Sequence, residues 1–198
     1  MPNWCMTRIT INHEDESKLK ELESRITEWT SHNYKESDFG LAWLGNIVGN
    51  SEIGTIDEKA ETDLRCRGWL NWMEYNDNQL LIDTETAWVP MLKMWSKLLE
   101  KYLPDAELIY SAEECGCELY STNDPCMKDC YIVDNYDDID GVESDWEATQ
   151  EYVVDILQNL LKTEENDIEK LLKMFYESEF YDGMSIHKWE FAEIDVWD

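Results

Sequence analysis

The chain has 198 residues and a formal net charge of −29, from 45 Asp and Glu against 16 Lys and Arg. Its hydrophobic fraction of 43%, with ten Trp and ten Tyr, is enough for a folded core and excludes an acidic disordered chain. The sign of the charge excludes a surface for nucleic acid or anionic lipid and favours basic protein partners.

The acidic residues are concentrated toward the C-terminal end. Residues 1–104 hold 18 Asp and Glu against 11 Lys and Arg, a net of −7. Residues 105–198 hold 27 against 5, a net of −22, and the two parts give the −29 of the whole chain. Charges of one sign in a small body repel one another, so we expect the excess to serve binding as well as solubility.

The N-terminal part of the chain is predicted to form a strand, then a helix, then an irregular insertion. Alternating β-branched residues predict a strand over Trp4–Asn12, and apolar residues on one helical face predict a helix over 15–30. Residues 32–66 contain four glycines between short apolar runs. They are interpreted as an insertion with little regular structure.

The next segments predict a hairpin and a second helix. Two strand-like runs, 67–75 and 80–86, flank a short Asn/Asp turn. Pro90 suits the first turn of a helix that Pro104 ends, and residues 107–111 resemble a further strand. The order strand, helix, strand, strand, helix, strand is that of the ferredoxin-like split βαβ fold.

The second part of the chain is expected to be acidic and mainly helical. A cysteine-rich irregular stretch spans 112–135, and a polar acidic loop follows over 134–145. Apolar spacing predicts amphipathic helices around 153–161 and 168–175, and alternation over 186–191 predicts a final strand.

These patterns predict an α+β fold in two regions. Residues 1–111 would form the ferredoxin-like domain, with the insertion at 32–66, and residues 112–198 the acidic α-rich region. The first residues show no basic region followed by an apolar run, and no stretch approaches the roughly 20 apolar residues of a membrane helix. We therefore expect a cytoplasmic protein with no membrane partner, whose six cysteines are thiols.

Two short motifs carry a family resemblance. The sequence MPNWC at residues 1–5 precedes the first strand, and TAWxP at residues 86–90 leads into the second helix. In these motifs the chain resembles the YubB-like proteins of plasmids and phages, over residues 1–120. The resemblance implies a ferredoxin-like N-terminal domain, an origin in a mobile element of a bacterial host cell, and no settled biochemical activity. Trp4 and Trp88 themselves are interpreted as core or strand-edge anchors.

The cysteines are the first candidates for chemistry. Cys115 and Cys117, then Cys126 and Cys130, fall in one irregular segment. Structural zinc usually takes cysteine pairs with a wider spacing than the single residue between the first two. Metal-free thiols are the preferred interpretation, a zinc site on these four cysteines is the alternative, and no other cofactor is expected.

Residues 136–147 partly fit the EF-hand pattern for calcium. Asp138, Asp140, Gly141 and Glu147 match four of its positions, but Tyr136 stands where the first ligand belongs. Because that position requires a carboxylate, the sequence predicts loose cation binding at most.

Catalysis has little support in the sequence, and we expect the chain not to be an enzyme. Its three histidines lie in unrelated contexts, without a nucleophile elbow, P-loop or dinucleotide fingerprint. An enzyme with a pocket lined by Trp4, Arg8 and Trp88 is kept as an alternative. RNA-recognition domains share the split βαβ fold and stack bases on aromatic residues of the central strands, but residues 80–86 contain none.

The acidic region has enough charge to imitate duplex DNA. The duplex carries one negative charge per about 1.7 Å, so 22 charges correspond to roughly 37 Å, and a compact region of 94 residues is on the order of 30 Å across. The imitation requires most carboxylates to face one way. A spacing of four residues predicts Glu147, Glu151 and Asp155 on one helical face.

These observations lead to the hypothesis of a mobile-element inhibitor protein. Its acidic region would occupy the Lys/Arg-lined channel of a host defence complex, such as a CRISPR effector or a restriction enzyme, without contacting nucleic acid directly. The predicted partner-binding residues are Asp134, Asp137, Asp138, Asp140, Glu143, Asp145, Trp146, Glu147, Glu151 and Asp155.

Aromatic residues interleaved with the acids favour a protein partner, because Tyr and Trp dominate interface hot spots. They are Tyr131, Tyr136, Trp146, Tyr152, Tyr176, Tyr181, Trp189 and Trp197, of which Trp189 is assigned to the core. The alternative function is a binding or oligomerising adaptor that recognises its partner through apolar surface, with charge only keeping it soluble.

Overall fold

A computed structural model describes residues 3–35, 37–56 and 64–197. Part of the predicted insertion, residue 36 and residues 57–63, therefore lies outside the described residues. The chain divides into two compact units. Unit 1 comprises residues 1–123 and 192–198, and unit 2 comprises residues 124–191. Each unit has its own hydrophobic core.

The described residues form nine strands and five helices, which confirms the predicted α+β class. Unit 1 contains β1 (Trp4–Asn12), α1 (Glu16–Trp29), α2 (Leu44–Asn50), β2 (Gly68–Asn76), β3 (Gln79–Ala87), α3 (Leu92–Tyr102), β4 (Glu107–Glu114) and β5 (Leu119–Thr122). Unit 2 contains β6 (Tyr131–Asn135), β7 (Asp145–Ala148), α4 (Gln150–Leu161), α5 (Ile168–Tyr176), β8 (Met184–Lys188) and β9 (Glu190–Phe191). Within the described residues, no helix is both long and apolar enough to span a membrane.

Unit 1 is built on an antiparallel sheet with the order β2-β3-β1-β4-β5. Alternate residues of β1, such as Ile9 and Ile11, are buried in the core that α1 and α3 share with the sheet. The residues between them, Trp4, Met6 and Arg8, are exposed on the other side, which we term the outer face. The β2–β3 hairpin turns at two residues with positive φ, as the predicted Asn/Asp turn requires.

The insertion after α1 contains a helix that the sequence did not predict. Two of its glycines, which in the sequence indicated little regular structure, are packing positions in α2. A Cβ at Gly45 would come within 2.3 Å of the Trp43 ring, and a Cβ at Gly49 within 2.2 Å of the Tyr34 ring. These glycines are therefore required because aromatic rings lie directly on the helix backbone.

Unit 2 differs from the mainly helical region that the sequence predicted. Its sheet has the antiparallel order β7-β6-β8, and α4 and α5 share a core with it. The stretch 112–135, predicted to be irregular, contains β5 and β6. A strand forms at Tyr131–Asn135, where the first three residues are apolar and buried. The sequence did not predict it because a short apolar run does not distinguish a buried strand from a segment of buried helix.

The division between the units falls after residue 123 instead of the predicted 111. β5 pairs with β4, with Ser111 opposite Thr122, so this hairpin belongs to unit 1. The last residues return to the same unit, where Trp197 Nε1 donates to the Tyr110 hydroxyl at 2.7 Å.

This division redistributes the charge. Unit 2 holds 19 Asp and Glu against 5 Lys and Arg, a net of −14 over 68 residues. Unit 1 holds the remaining 26 against 11, a net of −15 over 130 residues. The C-terminal concentration predicted from the linear sequence thus becomes a higher charge density on unit 2, with nearly equal net charge on each unit.

Candidate functional site

All ten predicted partner-binding residues lie in unit 2 and are exposed. Nine of them are carboxylates, and among the residues that the structure describes none of the nine has an ion-pair partner. The ion pairs of unit 2 instead join Lys170 to Glu165 and Asp167, and Lys188 to Asp129. The negative charge of the predicted site is therefore not neutralised within the described part of the chain.

The predicted helical row of three carboxylates is wrong. α4 begins at Gln150, and the Thr149 hydroxyl caps it by accepting from Tyr152 N at 3.2 Å. Because Thr149 ends the preceding extended segment, Glu147 lies on β7 rather than on the helix. Of the three carboxylates, only Glu151 and Asp155 lie on α4, where both are exposed.

Residues 136–144, which join β6 to β7, form a loop that we term the acidic loop. Asn135 holds it in place: its amide Nδ2 donates to the carbonyl oxygens of Ile139 at 3.1 Å and Val142 at 3.0 Å. Its Oδ1 accepts from Ile139 N at 2.9 Å. The chain reverses direction at Gly141, whose φ of +83° favours glycine. One side chain thus fixes the backbone that carries Asp138 and Asp140.

A tyrosine of α4 fixes the other end of the acidic loop. The Tyr152 hydroxyl accepts from Glu143 N at 3.0 Å and donates to Glu143 O at 3.1 Å. Asp138, Asp140 and Glu143 line an open depression beside Tyr152 that has a volume of about 560 Å³. Three carboxylates are therefore held around one hollow, an arrangement that fits a lysine or arginine side chain.

A tyrosine patch, Tyr136, Tyr176 and Tyr181, lies next to further carboxylates. Tyr136 is 54% exposed. The rings of Tyr176 and Tyr181 meet edge to face with centroids 5.5 Å apart. Partial burial, and then the charge of Asp134, raises the pKa of the Tyr136 phenol. Exposed aromatic rings beside carboxylates are the composition expected of a hot spot for a basic protein.

β7 presents Trp146 between Asp145 and Glu147. Trp146 is 49% exposed, and its carbonyl oxygen accepts from the indole nitrogen of the buried Trp189 at 2.8 Å. The assignment of Trp189 to the core is confirmed, and Tyr131 is buried as well. Burial and then the charges of Glu147 and Asp145 raise the pKa of the Cys130 thiol. The negative potential of this strand thus acts on a neighbouring group.

The four cysteines of the zinc alternative are divided between the units. Cys115 and Cys117 belong to unit 1, and Cys126 and Cys130 to unit 2. Within the described ranges, no group of three or more His, Cys, Asp or Glu is arranged to hold a metal ion. The nearby Glu114 carboxylate raises the pKa of the exposed Cys117 thiol.

The pocket anticipated for an enzyme takes a different form. A groove in unit 1 includes Trp4, but neither Arg8 nor Trp88 is among the described residues that line it. The Arg8 guanidinium instead pairs with Asp83, with N–O distances of 2.9 and 3.1 Å. Trp4 is 37% exposed and Trp88 45% exposed, so of the two interpretations, core or strand-edge anchor, the core position is wrong for both. Trp4 is the first residue of β1, and Trp88 directly follows the last residue of β3. A sequence motif does not distinguish such an exposed strand end from a buried position.

Comparison with models of protein families, with curated proteins and with solved structures found no match to this chain.

Proposed function

We propose that this chain is a non-catalytic binding protein whose unit 2 binds a cationic, nucleic-acid-binding surface of another protein. The observation that carries the proposal is the set of nine exposed carboxylates without ion-pair partners among the described residues. Long-range attraction steers such a surface toward a basic partner and raises the association rate.

The rigidity of the acidic loop supports binding rather than simple solubility. Carboxylates that only keep a protein soluble need no fixed positions. Here Asn135 and Tyr152 hold the backbone of the loop through five hydrogen bonds. A site held in its bound geometry loses less conformational entropy when a partner arrives.

The size of unit 2 sets the scale of the proposed mimicry. Its net charge of −14 corresponds to roughly 24 Å of duplex axis. This length is shorter than the roughly 37 Å suggested by the linear sequence, and it fits within a compact body on the order of 30 Å across. The proposed mimic therefore replaces less than one turn of duplex.

The target that we propose is a host defence complex, such as a CRISPR effector or a restriction enzyme. The YubB-like motifs at residues 1–5 and 86–90 support an origin in a mobile element. The order β2-β3-β1-β4, with α1 and α3 between the strands along the chain, supports a ferredoxin-like unit 1.

A competition assay tests this function. A fluorescent duplex is bound to each member of a panel of bacterial restriction enzymes and CRISPR effectors, and its anisotropy is followed as the chain is added at 50 mM and 300 mM salt. We expect displacement of the duplex from at least one member, with an apparent affinity about tenfold or more weaker at the higher salt. Absence of displacement across the panel, or displacement that is independent of salt, would contradict the proposal.

A further inference from the structure

We infer that unit 1 contains a second binding site, a groove that takes one large apolar side chain carried on a basic segment of a protein partner. This inference rests on the proposed function only in the sign of the partner's charge. We term the site the aromatic groove, and the residues that line it include Trp4, Phe39, Trp43, Gly68, Trp69 and Ala87.

Two aromatic pairs form the walls of the groove. Trp4 and Trp69 meet edge to face with ring centroids 5.4 Å apart, and Phe39 and Trp43 lie 4.8 Å apart. The indole nitrogen of Trp69 donates to the carbonyl oxygen of Phe39 at 3.0 Å and so ties the two pairs together. The rings are therefore held in place without a ligand, as a preformed site requires.

Small residues provide the space between these walls. Gly68 and Ala87 contribute little or no side chain, and the groove has a volume of about 310 Å³. The volume suits one large side chain rather than an extended apolar segment.

Two of the four aromatic residues of the groove are more exposed than packing alone requires. Phe39 is 60% exposed and Trp4 is 37% exposed, although each already contacts another ring. Leu41, in the same segment as Phe39, is also exposed. Clustered apolar exposure of this kind is typical of surfaces that become covered by a partner.

The charge around the groove indicates which residues of the partner flank its apolar side chain. The strand register places Glu85 of β3 between Trp69 of β2 and Met6 of β1, and Glu113 of β4 follows in the same row. Carboxylates thus adjoin the groove on the outer face of a unit with a net charge of −15. Basic residues on either side of the apolar anchor complement this row.

The groove itself favours an apolar rather than a cationic anchor. Arg67 is part of its lining and already takes part in an interaction within the chain. A guanidinium at the groove opposes entry of a second cation. The surrounding negative charge also opposes an RNA or DNA base with its phosphates, although the rings alone would allow base stacking.

Three synthetic pentapeptides test the inference by isothermal titration calorimetry with the full chain. The first has a central Trp between two pairs of Lys-Arg residues, the second has a central Ala with the same flanks, and the third has the central Trp between Glu residues. We expect the first peptide to bind about tenfold more tightly than the second, and the third not to bind. Equal affinity for the first two peptides would overturn the inference, as would binding of the third or tighter binding of a single-stranded oligonucleotide.

Variants assign the preference for Trp to the groove. Phe39→Ala removes an exposed ring with little risk to folding, and Trp4→Ala tests the opposite pair. Each should reduce the Trp-over-Ala preference to less than about threefold, whereas Trp72→Ala, at an exposed position of β2 that does not line the groove, should leave it unchanged. A preference retained in both groove variants would overturn the inference. Replacing Asp140, Glu143 and Glu151 of unit 2 by Lys should weaken the binding of both basic peptides by the same factor. Failure of the proposed function and failure of this inference are therefore distinguishable.

Discussion

Trp4 and Trp69 stand on strands that β3 separates, yet their indole rings meet edge to face with centroids 5.4 Å apart. On β3, Ala87 lies directly opposite Trp4 and Glu85 directly opposite Trp69, so the two rings meet on a diagonal that passes over Ala87. Because this intervening side chain is a single methyl group, the two rings reach across the strand. The sheet thus gains an aromatic surface on its outer face that no single strand contains.

The first prediction concerns the small residue beside these rings. Gly68→Ala should lower the free energy of unfolding by about 1–3 kcal/mol, because the new Cβ would come within 2.3 Å of the Glu85 carbonyl oxygen. Urea unfolding measures the change. Asn71→Ala, at an exposed position of the same strand, should change the free energy of unfolding by less than about 0.5 kcal/mol. Equal effects of the two substitutions would contradict the close approach at Gly68.

The second prediction concerns the acidic loop. Asn135→Ala removes three hydrogen bonds from the loop backbone and should cost about 1–3 kcal/mol of stability. Amide hydrogen exchange over residues 136–144 should become faster, while exchange in α1 stays unchanged. Asn159→Ala, on the exposed side of α4, serves as the control. Unchanged exchange in the loop of the Asn135 variant would show that other contacts hold it.

The third prediction concerns the buried thiol of Cys5. Burial raises its pKa from 9.0 to about 11, so the folded chain holds this proton more tightly than the unfolded chain. The resulting stabilisation is fully present below about pH 9 and is lost as the pH rises toward about 11. The loss amounts to about 2 kcal/mol.

Replacing Cys5 by Ala removes this titration. We expect the difference in unfolding free energy between the native chain and Cys5→Ala to shrink by about 2 kcal/mol between pH 8 and pH 11. The comparison between the two proteins cancels those groups titrating in this pH range that do not interact with Cys5. Parallel pH profiles for the two proteins would mean that the Cys5 thiol has an ordinary pKa.

The regular elements of unit 1 were predictable because their patterns are local. β1 occupies the predicted Trp4–Asn12, since its alternation of buried and exposed residues is uninterrupted. α1 lies within the predicted 15–30, where Asp15 caps it by accepting from Ser17 N at 2.9 Å. α2 was missed because a glycine under an aromatic ring and a glycine in a loop look alike in sequence.

The units and the aromatic groove depend on contacts between distant residues, so the sequence did not reveal them. The hydroxyl of Tyr110 accepts from Trp197, which assigns the last residues to unit 1 and with them part of the acidic charge. The groove joins β1 and β2 to Phe39 and Trp43 of the insertion. For the acidic site, composition was enough to predict exposed carboxylates, but the hydrogen bonds of Asn135 and Tyr152 required the fold.

The most direct test of the central claim compares two variants of equal net charge. Asp140, Glu143 and Glu151 are replaced by Lys in one variant, and Glu164, Glu169 and Glu177 in the other. All six residues are exposed in unit 2, and three such replacements change the formal charge from −29 to −23 in both variants.

The measurement is the dissociation constant of each variant for the DNA-binding protein identified by the competition assay. Our account predicts that the first variant binds at least about tenfold more weakly than the native chain and the second less than about threefold more weakly. Equal weakening by the two variants would show that net charge alone, and not the surface around the acidic loop, governs binding.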